Sequence, residues 1–559
     1  MNRTATEAPS RTGGQILVDA LRIHGVDTAF CVPGESFLAA IDAFYDAREA
    51  MRLIVCRQEG GAAHMAEAHG KLTGRPGICF VTRGPGATNA SIGIHTARQD
   101  STPLIVFVGQ VARDCFGREA WQEIDYRHMF GHIAKWVDQI DDPRRIPEFI
   151  SRAFHVAMSG RPGPVVLALP EDMLAEEAVV ADAPAYRLAQ AGPTPEAMAE
   201  IAEMLARSER PLMLLGGGGW TREASRDVGA FASAHDVPVA CAFRRQDLLD
   251  NRHDCYVGEA GLGMDPRLAQ RIVDADLILA VGPRMGETTT NGYALLEVPR
   301  PRQRLVHVHA DPEELGRVYQ ADQGVNASVA AFTAQLARLP APAERPWGEW
   351  RRQAREDYLR NLEPTPMPGD VDLGAIVRHL RDVLPADSVI TNGAGNYTLW
   401  VQRFYQYRGI RTQLAPTSGT MGYGVPAAIA AKLQDPARTV VCFAGDGCFL
   451  MNGQEMATAV QYGLNVIFIV VNNAMYGSIR MHQERHYPAR VCATDLHNPD
   501  FVTLAQAYGV AGERVLHTGE FAAAFERARN AGRPALIELR VSQDAISPRT
   551  TISALRAKG

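Results

Sequence analysis

Short runs of apolar residues rich in β-formers recur along the chain, at 77–82, 104–108, 164–169, 211–215, 277–281, 440–443 and 466–471. None alternates with polar residues as a half-exposed strand would. Continuous apolar strands are buried on both faces, which calls for parallel sheets covered by helices. Helical stretches lie between the runs throughout, so the pattern predicts an α/β protein built from doubly wound parallel sheets. The longest run, 466–471, has strand length and is far short of the ~20 residues a membrane helix needs. No membrane span is expected.

Two stretches lack apolar periodicity and hold many prolines: 180–197 and 338–369. They divide the chain into three predicted domains, 10–180, 195–338 and 370–545, each of ordinary domain size. The second stretch contains Trp347-Gly-Glu-Trp-Arg-Arg-Gln-Ala-Arg-Glu-Asp-Tyr358, which also reads as a linker helix lying on the surface. A length of 559 residues agrees with three or four domains at ~150 residues each. No short-period repeat is present, which excludes solenoids and propellers.

Charge changes the picture little. Lys and Arg total 57 against 63 Asp and Glu, a net −6. A basic nucleic-acid footprint is not expected. Nine cysteines are scattered without a CxxC pair, which reads as reduced thiols in a cytoplasmic protein. The first 14 residues, MNRTATEAPSRTGG, show no apolar segment of a secretory signal.

The sharpest chemical pattern lies in the last third. Val440-Val-Cys-Phe-Ala-Gly-Asp-Gly447 is followed, after 25 intervening residues, by Asn473 in Val471-Asn-Asn-Ala-Met475. A strand ending at Gly445-Asp446-Gly447, a helix over 449–462 and a strand over 465–471 make one βαβ unit, right-handed by default. Its loops emerge side by side at the carboxyl ends of neighbouring strands, where open α/β sheets bind ligands. A carboxylate, an amide oxygen and a backbone carbonyl are the hard donors Mg²⁺ prefers. The glycines admit backbone N–H groups to a phosphate, and the next helix turns its N-terminus toward it.

These residues resemble the diphosphate and Mg²⁺ motif of thiamine diphosphate enzymes. The resemblance implies that Asp446, Asn473 and the carbonyl of Met475 hold the metal, and that Gly447 and Cys448 meet the phosphates. Gly393-Ala-Gly395-Asn396-Tyr397 resembles the family's phosphate loop, although acetolactate synthases carry Gln-His where this chain has Asn396 and Tyr397. Thr417-Ser-Gly419-Thr-Met421-Gly-Tyr-Gly-Val-Pro426 resembles the aminopyrimidine-holding stretch. There Met421 would prop the cofactor into a V shape, and the carbonyl of Gly419 would accept from its exocyclic amine. Tyr476, Gly477, Ser478 and Ile479 follow the metal loop and would line the reaction centre.

In the first third, Arg57-Gln-Glu59-Gly-Gly-Ala-Ala-His resembles the family's catalytic-glutamate helix, with the match on Glu59. The thiazolium C2 proton is a weak acid. A carboxyl group bonded to the pyrimidine nitrogen favours the imino tautomer, whose imine takes that proton; the protein supplies tautomer and posture. His64-Met-Ala-Glu67-Ala-His69 is not HExxH, so no zinc site is expected; His64 and Glu67 read as a hydrogen bond on one helix face. Arg83-Gly-Pro-Gly-Ala-Thr-Asn89 sits where a strand gives way to a helix, as a phosphate loop would; the resemblance implies instead a turn lining the active-site cleft. Since Glu59 and Asp446 fall in different domains, the resemblance implies a homodimer or homotetramer with active sites between subunits.

The branch that fits is acetolactate synthase and pyruvate oxidase. This implies decarboxylation of a 2-oxo acid with ligation of the acyl unit to a second carbonyl. A 2-oxo acid decarboxylase, an acyloin lyase and a noncatalytic cofactor-binding homologue are the alternatives. Gln110, in Val108-Gly-Gln110-Val, offers a catalytic polar side chain; Trp121 replaces a usual Phe, and Lys135 matches a lysine near the cleft. Departures matter more. Glu35 stands in Pro33-Gly34-Glu35-Ser36 where the branch has Gly, and His482 stands at a tryptophan position that sets 2-oxo acid preference. Arg284 is kept, but Thr288 replaces a second arginine that meets the acceptor carboxylate, and losing a fork-shaped donor is not neutral. An aldehyde or other carbonyl acceptor is therefore expected in place of a second pyruvate. In the middle domain, Leu214-Leu-Gly-Gly-Gly-Gly219-Trp and His307-Val-His-Ala-Asp311-Pro resemble the nucleotide-holding edges of the flavin-binding version, so FAD is a possible second cofactor alongside an empty domain.

Overall fold

A computed structural model describes residues 9–557. The first eight residues of the segment read for a signal peptide lie outside the described residues. The chain forms two compact units, one up to Ala189 and one from Gln190.

In the first unit, β1 (Thr28–Cys31), β2 (Arg52–Val55), β3 (Gly77–Val81), β4 (Leu104–Gln110), β5 (Trp136–Gln139) and β6 (Pro164–Pro170) form one parallel sheet in the order β2-β1-β3-β4-β6-β5. Because side chains alternate across a strand, Phe80, Phe107 and Leu167 face one layer, packed with Leu17, Phe44 and Phe154 from three helices. Phe80 and Phe107 stack with ring centroids 4.7 Å apart.

The opposite layer is α1 (Glu59–Thr73) and α2 (Gly84–Asp100). Here small residues decide the spacing. A Cβ on Gly77 would lie 1.8 Å from the carbonyl oxygen of Ala66, and one on Gly93 would lie 2.4 Å from the Cβ of Ala63. Backbone therefore packs on backbone, which holds the first turn of α1, with Glu59, over the carboxyl end of the sheet.

The second unit holds two sheets. β7 (Pro211–Leu215), β8 (Val239–Ala242), β9 (Tyr256–Ala260), β10 (Leu277–Val281), β11 (Arg304–His309) and β12 (Gln323–Asn326) pair in parallel in the order β9-β8-β7-β10-β11-β12. β13 (Val389–Asn392), β14 (Gln413–Leu414), β15 (Val440–Gly445), β16 (Ile467–Asn472), β17 (Ala511–Val515) and β18 (Ala535–Arg540) pair in parallel in the order β14-β13-β15-β16-β18-β17. The first and last sheets thus share one topology, and the central sheet has another. All three runs of parallel strands carry helices on their faces, as the apolar pattern requires.

Two local expectations change. The helix expected over 449–462 is broken into Asp446–Phe449, a 3₁₀ turn Gly453–Glu455 and Met456–Gln461. Asn452 causes the break: its backbone leaves the helical region and its Nδ2 donates to the Gly422 carbonyl at 3.0 Å. The stretch after 347 is a helix, α3 (Gly348–Asn361), but it does not merely lie on the surface. Trp347 at its start is buried and donates to the His235 carbonyl at 2.9 Å, and Arg271 pairs with Asp357 at 2.7 Å. No helix among the described residues is long and apolar enough to cross a membrane.

Candidate active site

The carboxyl ends of β13, β15 and β16 carry the last-third motifs. β15 ends at Gly445, and Asp446 opens the short helix that follows, almost wholly buried. Its Oδ1 accepts from the Gly447 N–H at 2.9 Å and its Oδ2 from Asn498 Nδ2 at 2.8 Å. Burial pushes its carboxyl above the usual range, against the pull of these donors and of the Ala474 and Met475 N–H groups.

Asn473 follows β16. Its Oδ1 accepts from the Met475 N–H at 3.3 Å, and Ala474 takes a left-handed φ of 54° to turn the chain back. Met475 lies opposite Asp495 in an isolated antiparallel bridge whose hydrogen bonds run from Tyr476 to Thr494 and from Leu496 to Ala474. Met475 is thus the non-bonded member, so its N–H and carbonyl point away from Asp495, on the side of Asn473. Asp446, Asn473 and the Met475 backbone converge.

Glycines let the loops close around this point. A Cβ on Gly447 would lie 2.6 Å from the Tyr476 ring, and one on Gly445 or Gly395 would lie 2.9 or 2.8 Å from the Tyr397 ring. Tyr397 is a wedge between the two glycine loops: it accepts from the Gly393 N–H at 3.1 Å and donates to Cys448 Sγ at 3.5 Å. Its hydroxyl is spent inside the protein. Cys448 also accepts from the Gly422 N–H at 3.2 Å, which ties in the loop of Gly419 and Met421. Gly419 has a left-handed φ of 67°, and half-buried Met421 packs on the core of this sheet. Asn396 accepts from Ser478 Oγ at 2.8 Å and donates to the Ile546 carbonyl at 2.9 Å. It therefore joins the loop after β13 to α4 (Gly477–His486) and to the C-terminal tail. Ile479 on α4 is exposed.

In the first unit, the carboxyl edge of the sheet carries a second set. Glu59 opens α1, whose N-terminus is capped by Gln58 accepting from the Gly61 N–H at 3.0 Å. Asn89 on α2 donates to Glu59 Oε2 at 2.9 Å. Gln110 ends β4, but its amide is engaged: Nε2 donates to the Ile124 carbonyl and Oε1 accepts from the Val111 N–H, both at 3.0 Å. It anchors the 111–125 loop, on which Trp121 is 73% exposed. Buried Arg83 holds Glu35 at 3.1 Å and also pairs with Glu171. Lys135 is not aimed at a cleft; it donates to the Val156 and Ser159 carbonyls at 2.6 Å, closing a helix end.

The stretch 83–89, expected as a turn lining the cleft, is instead the start of α2, and sequence reasoning missed the bond from Asn89 to Glu59 and missed Asn498 altogether. Asn498 sits in Asn498-Pro499-Asp500, which reads as turn and cap chemistry, and Asp500 does cap the helix Phe501–Ala507. Asn89 lies on a helix whose sequence gives no sign of a partner 30 residues away.

Three family models match in chain order: the N-terminal thiamine pyrophosphate-binding domain over residues 11–129, the central domain of such enzymes over 198–336, and their C-terminal binding domain over 393–539. The acetolactate synthase large subunit of Parasynechococcus marenigrum is 33% identical over 520 residues, covering 90% of this chain and 83% of the relative. The isozyme 2 large subunit of acetolactate synthase from Escherichia coli is 30% identical over 537 residues, covering 95% and 96%. The chain belongs to the thiamine pyrophosphate enzyme family. Thiamine pyrophosphate and thiamine diphosphate are the same compound, and the acetolactate synthase-like branch is the one matched.

The donor set fits the family's cofactor and metal. It offers one carboxylate, one amide oxygen and a backbone carbonyl, with side chains cleared from the glycine turns. No group of three or more His, Cys, Asp or Glu among the described residues forms an all-protein metal cage, so a divalent ion here would complete its shell with phosphate and water oxygens.

The central glycines have a different explanation. A Cβ on Gly217 would lie 2.0 Å from the Gly282 carbonyl oxygen, and one on Gly282 would lie 2.5 Å from that of Gly216. The loops after β7 and β10 are pressed together, and Trp220 donates to the Gly216 carbonyl at 2.7 Å. His307 bonds the Pro283 carbonyl at 2.9 Å. Loop-on-loop packing accounts for the glycines without a nucleotide. Arg284 lies 3.7 Å from buried Glu314, Thr288 is half-buried, and His482 is exposed on α4, its ring stacked 6.5 Å from His486.

Proposed function

We propose that the protein decarboxylates a 2-oxo acid and ligates the remaining acyl unit to a second, uncharged carbonyl, using thiamine diphosphate and Mg²⁺. The convergence of Asp446, Asn473 and the Met475 backbone beside the Gly445–Gly447 turn carries this reading. When bound, thiamine diphosphate supplies the nucleophilic carbon and the electron sink. Asp446, Asn473 and the Met475 carbonyl hold the metal; Gly447, Cys448 and Gly395 offer backbone to the diphosphate; Gly419 and Met421 hold the aminopyrimidine. Tyr476, Gly477, Ser478 and Ile479 line the reaction centre.

Glu59 holds a proton at the pyrimidine nitrogen and is steadied by Asn89. Gln110 acts by fixing the loop that covers this edge. The cofactor then lies between the Glu59 edge of one subunit and the Asp446 edge of another, in a homodimer or a dimer of dimers. Nine free cysteines favour a reducing, cytoplasmic setting.

Two departures favour an uncharged acceptor. Thr288 removes an arginine, and Glu35 adds a partly exposed carboxylate at the same sheet edge as Glu59. The first takes away a cation that would hold a second carboxylate, and the second adds a carboxylate that shares Arg83 with Glu171. The expected result, read by CO₂ release and product mass, is activity with pyruvate as donor and a hydroxyketone formed faster with an aldehyde acceptor than a branched hydroxy-oxo acid with a second pyruvate. A charged hydrogen bond is worth about 1.5–3 kcal/mol, one to two decades in preference. Inertness across a panel of 2-oxo acids rejects the reading. The same departures suit an acyloin lyase, recognised by cleavage of added hydroxyketone.

The packed loops after β7 and β10 favour a central domain that works without flavin. Protein purified and denatured is expected to release no flavin fluorescence; a stoichiometric flavin would overturn this.

A further inference from the structure

Asp446 stands at the end of a chain of hydrogen bonds. The Asn498 amide nitrogen that donates to Asp446 Oδ2 gives its other proton to Asn472 Oδ1 at 3.0 Å. Asn472 donates from Nδ2 to Glu538 Oε1 at 2.7 Å. Glu538 is fully buried in β18, where the Nε groups of Arg514 and Arg540 each reach it at 2.7 Å. Arg514 also pairs, at 2.6 Å, with Asp500, two residues beyond Asn498. The network closes on itself.

Its polarity runs one way. An ionised carboxylate only accepts. Glu538 therefore takes the amino end of Asn472 and turns its carbonyl oxygen toward Asn498. That oxygen and Asp446 both demand protons, so Asn498 must present its amino end to the two of them. One N–H is thereby aimed at Asp446 Oδ2, while the Gly447 N–H holds Oδ1 at 2.9 Å. Both oxygens are thereby fixed in direction. Packing alone does not call for this arrangement: Ile537 and Leu539 beside Glu538 are fully buried, and an ion pair at such a place carries a desolvation cost that an apolar residue avoids.

We propose that Asn498, Asn472 and Glu538 are positioning residues that lock the Asp446 carboxylate in the orientation a divalent cation requires. The proposal rests on the reading of Asp446 as a metal ligand. Partners that orient a metal ligand typically change affinity by 10–100-fold when removed.

The test uses the full-length protein with thiamine diphosphate and Mn²⁺ as probe, free Mn²⁺ being read by electron paramagnetic resonance. Asn498→Ala is expected to weaken Mn²⁺ binding by about 10–100-fold, with Glu538→Gln shifting it in the same direction. The double variant is expected to lose less than the two single losses multiplied together, because they act through one chain; full multiplication would mean that the two residues act independently and would overturn the chain. Raised Mg²⁺ should restore turnover to Asn498→Ala, with the half-saturating concentration shifted by the same factor. Asn498→Ser is measured alongside, so that misfolding of one variant, seen by circular dichroism, does not decide the outcome. Mn²⁺ binding unchanged in Asn498→Ala and Asn498→Ser but lost in Asp446→Asn overturns the positioning role and leaves the metal reading standing. Binding unchanged in Asp446→Asn as well overturns the metal reading itself. Lost turnover that no Mg²⁺ concentration restores, with Mn²⁺ binding intact, assigns the chain a structural role only and also rejects the proposal.

Discussion

Glu59→Gln is expected to keep thiamine diphosphate and Mg²⁺ bound and to lose turnover by roughly 10²–10⁴-fold, the usual worth of a positioned proton donor. The side chain differs by one group and is nearly isosteric. Its contacts do not depend on charge: Gln58 still caps α1 through the Gly61 N–H, and Asn89 still donates to a side-chain oxygen. The amide can still donate an N–H bond to a ring nitrogen, but it holds no acidic proton to transfer to it. A steady-state assay beside cofactor titration by intrinsic fluorescence separates the two effects. Full turnover in the variant would remove Glu59 from the chemistry, while loss of cofactor binding would make its role one of affinity.

Asp446→Asn is expected to lower Mg²⁺ affinity by roughly 10³-fold, since two unit charges 4 Å apart near a protein surface interact by about 4 kcal/mol. The fold should survive. Burial disfavours the charged carboxylate and a neutral amide relieves that burden, which offsets the loss of one of the two bonds from Gly447 and Asn498, since an amide has a single accepting oxygen; the metal-free variant should stay folded, within about 1–3 kcal/mol of the metal-free parent. The stabilisation that Mg²⁺ and thiamine diphosphate give the parent, which grows with ligand concentration over Kd, should vanish in the variant. Calorimetry with and without both ligands reads this directly; an undiminished shift would place the metal elsewhere. The two variants also report on subunit sharing. Co-expressed Glu59→Gln and Asp446→Asn chains should recover activity, about a quarter of the parent's for random pairing in a two-fold dimer, because one site in each mixed dimer regains both groups. Sites confined within single chains would recover none.

The elements legible beforehand were those with one physical cause. Apolar runs such as 277–281 have no alternative to a strand covered on both faces, and it is the strand Leu277–Val281. The Gly445-Asp446-Gly447 turn was legible because few turns combine close backbone approach with a buried acid. The helix expected over 449–462 failed because helical periodicity does not register a distant partner: the Gly422 carbonyl draws Asn452 out of the helix. Gln110 and Tyr397 look like outward-facing polar groups in sequence, yet each is satisfied by backbone or thiol inside the protein.

The sequence by itself determined the α/β class, the family and the residues at the ends of the strands, because local pattern and glycine placement are written position by position. Only the tertiary structure decided which amide orients Asp446, that Asn396 reaches the C-terminal tail, and that the central glycine turn meets another loop. Those facts depend on groups that the fold brings together from 52 residues apart, as Asp446 and Asn498, to 150 residues apart, as Asn396 and the Ile546 carbonyl, and no local pattern encodes such partners.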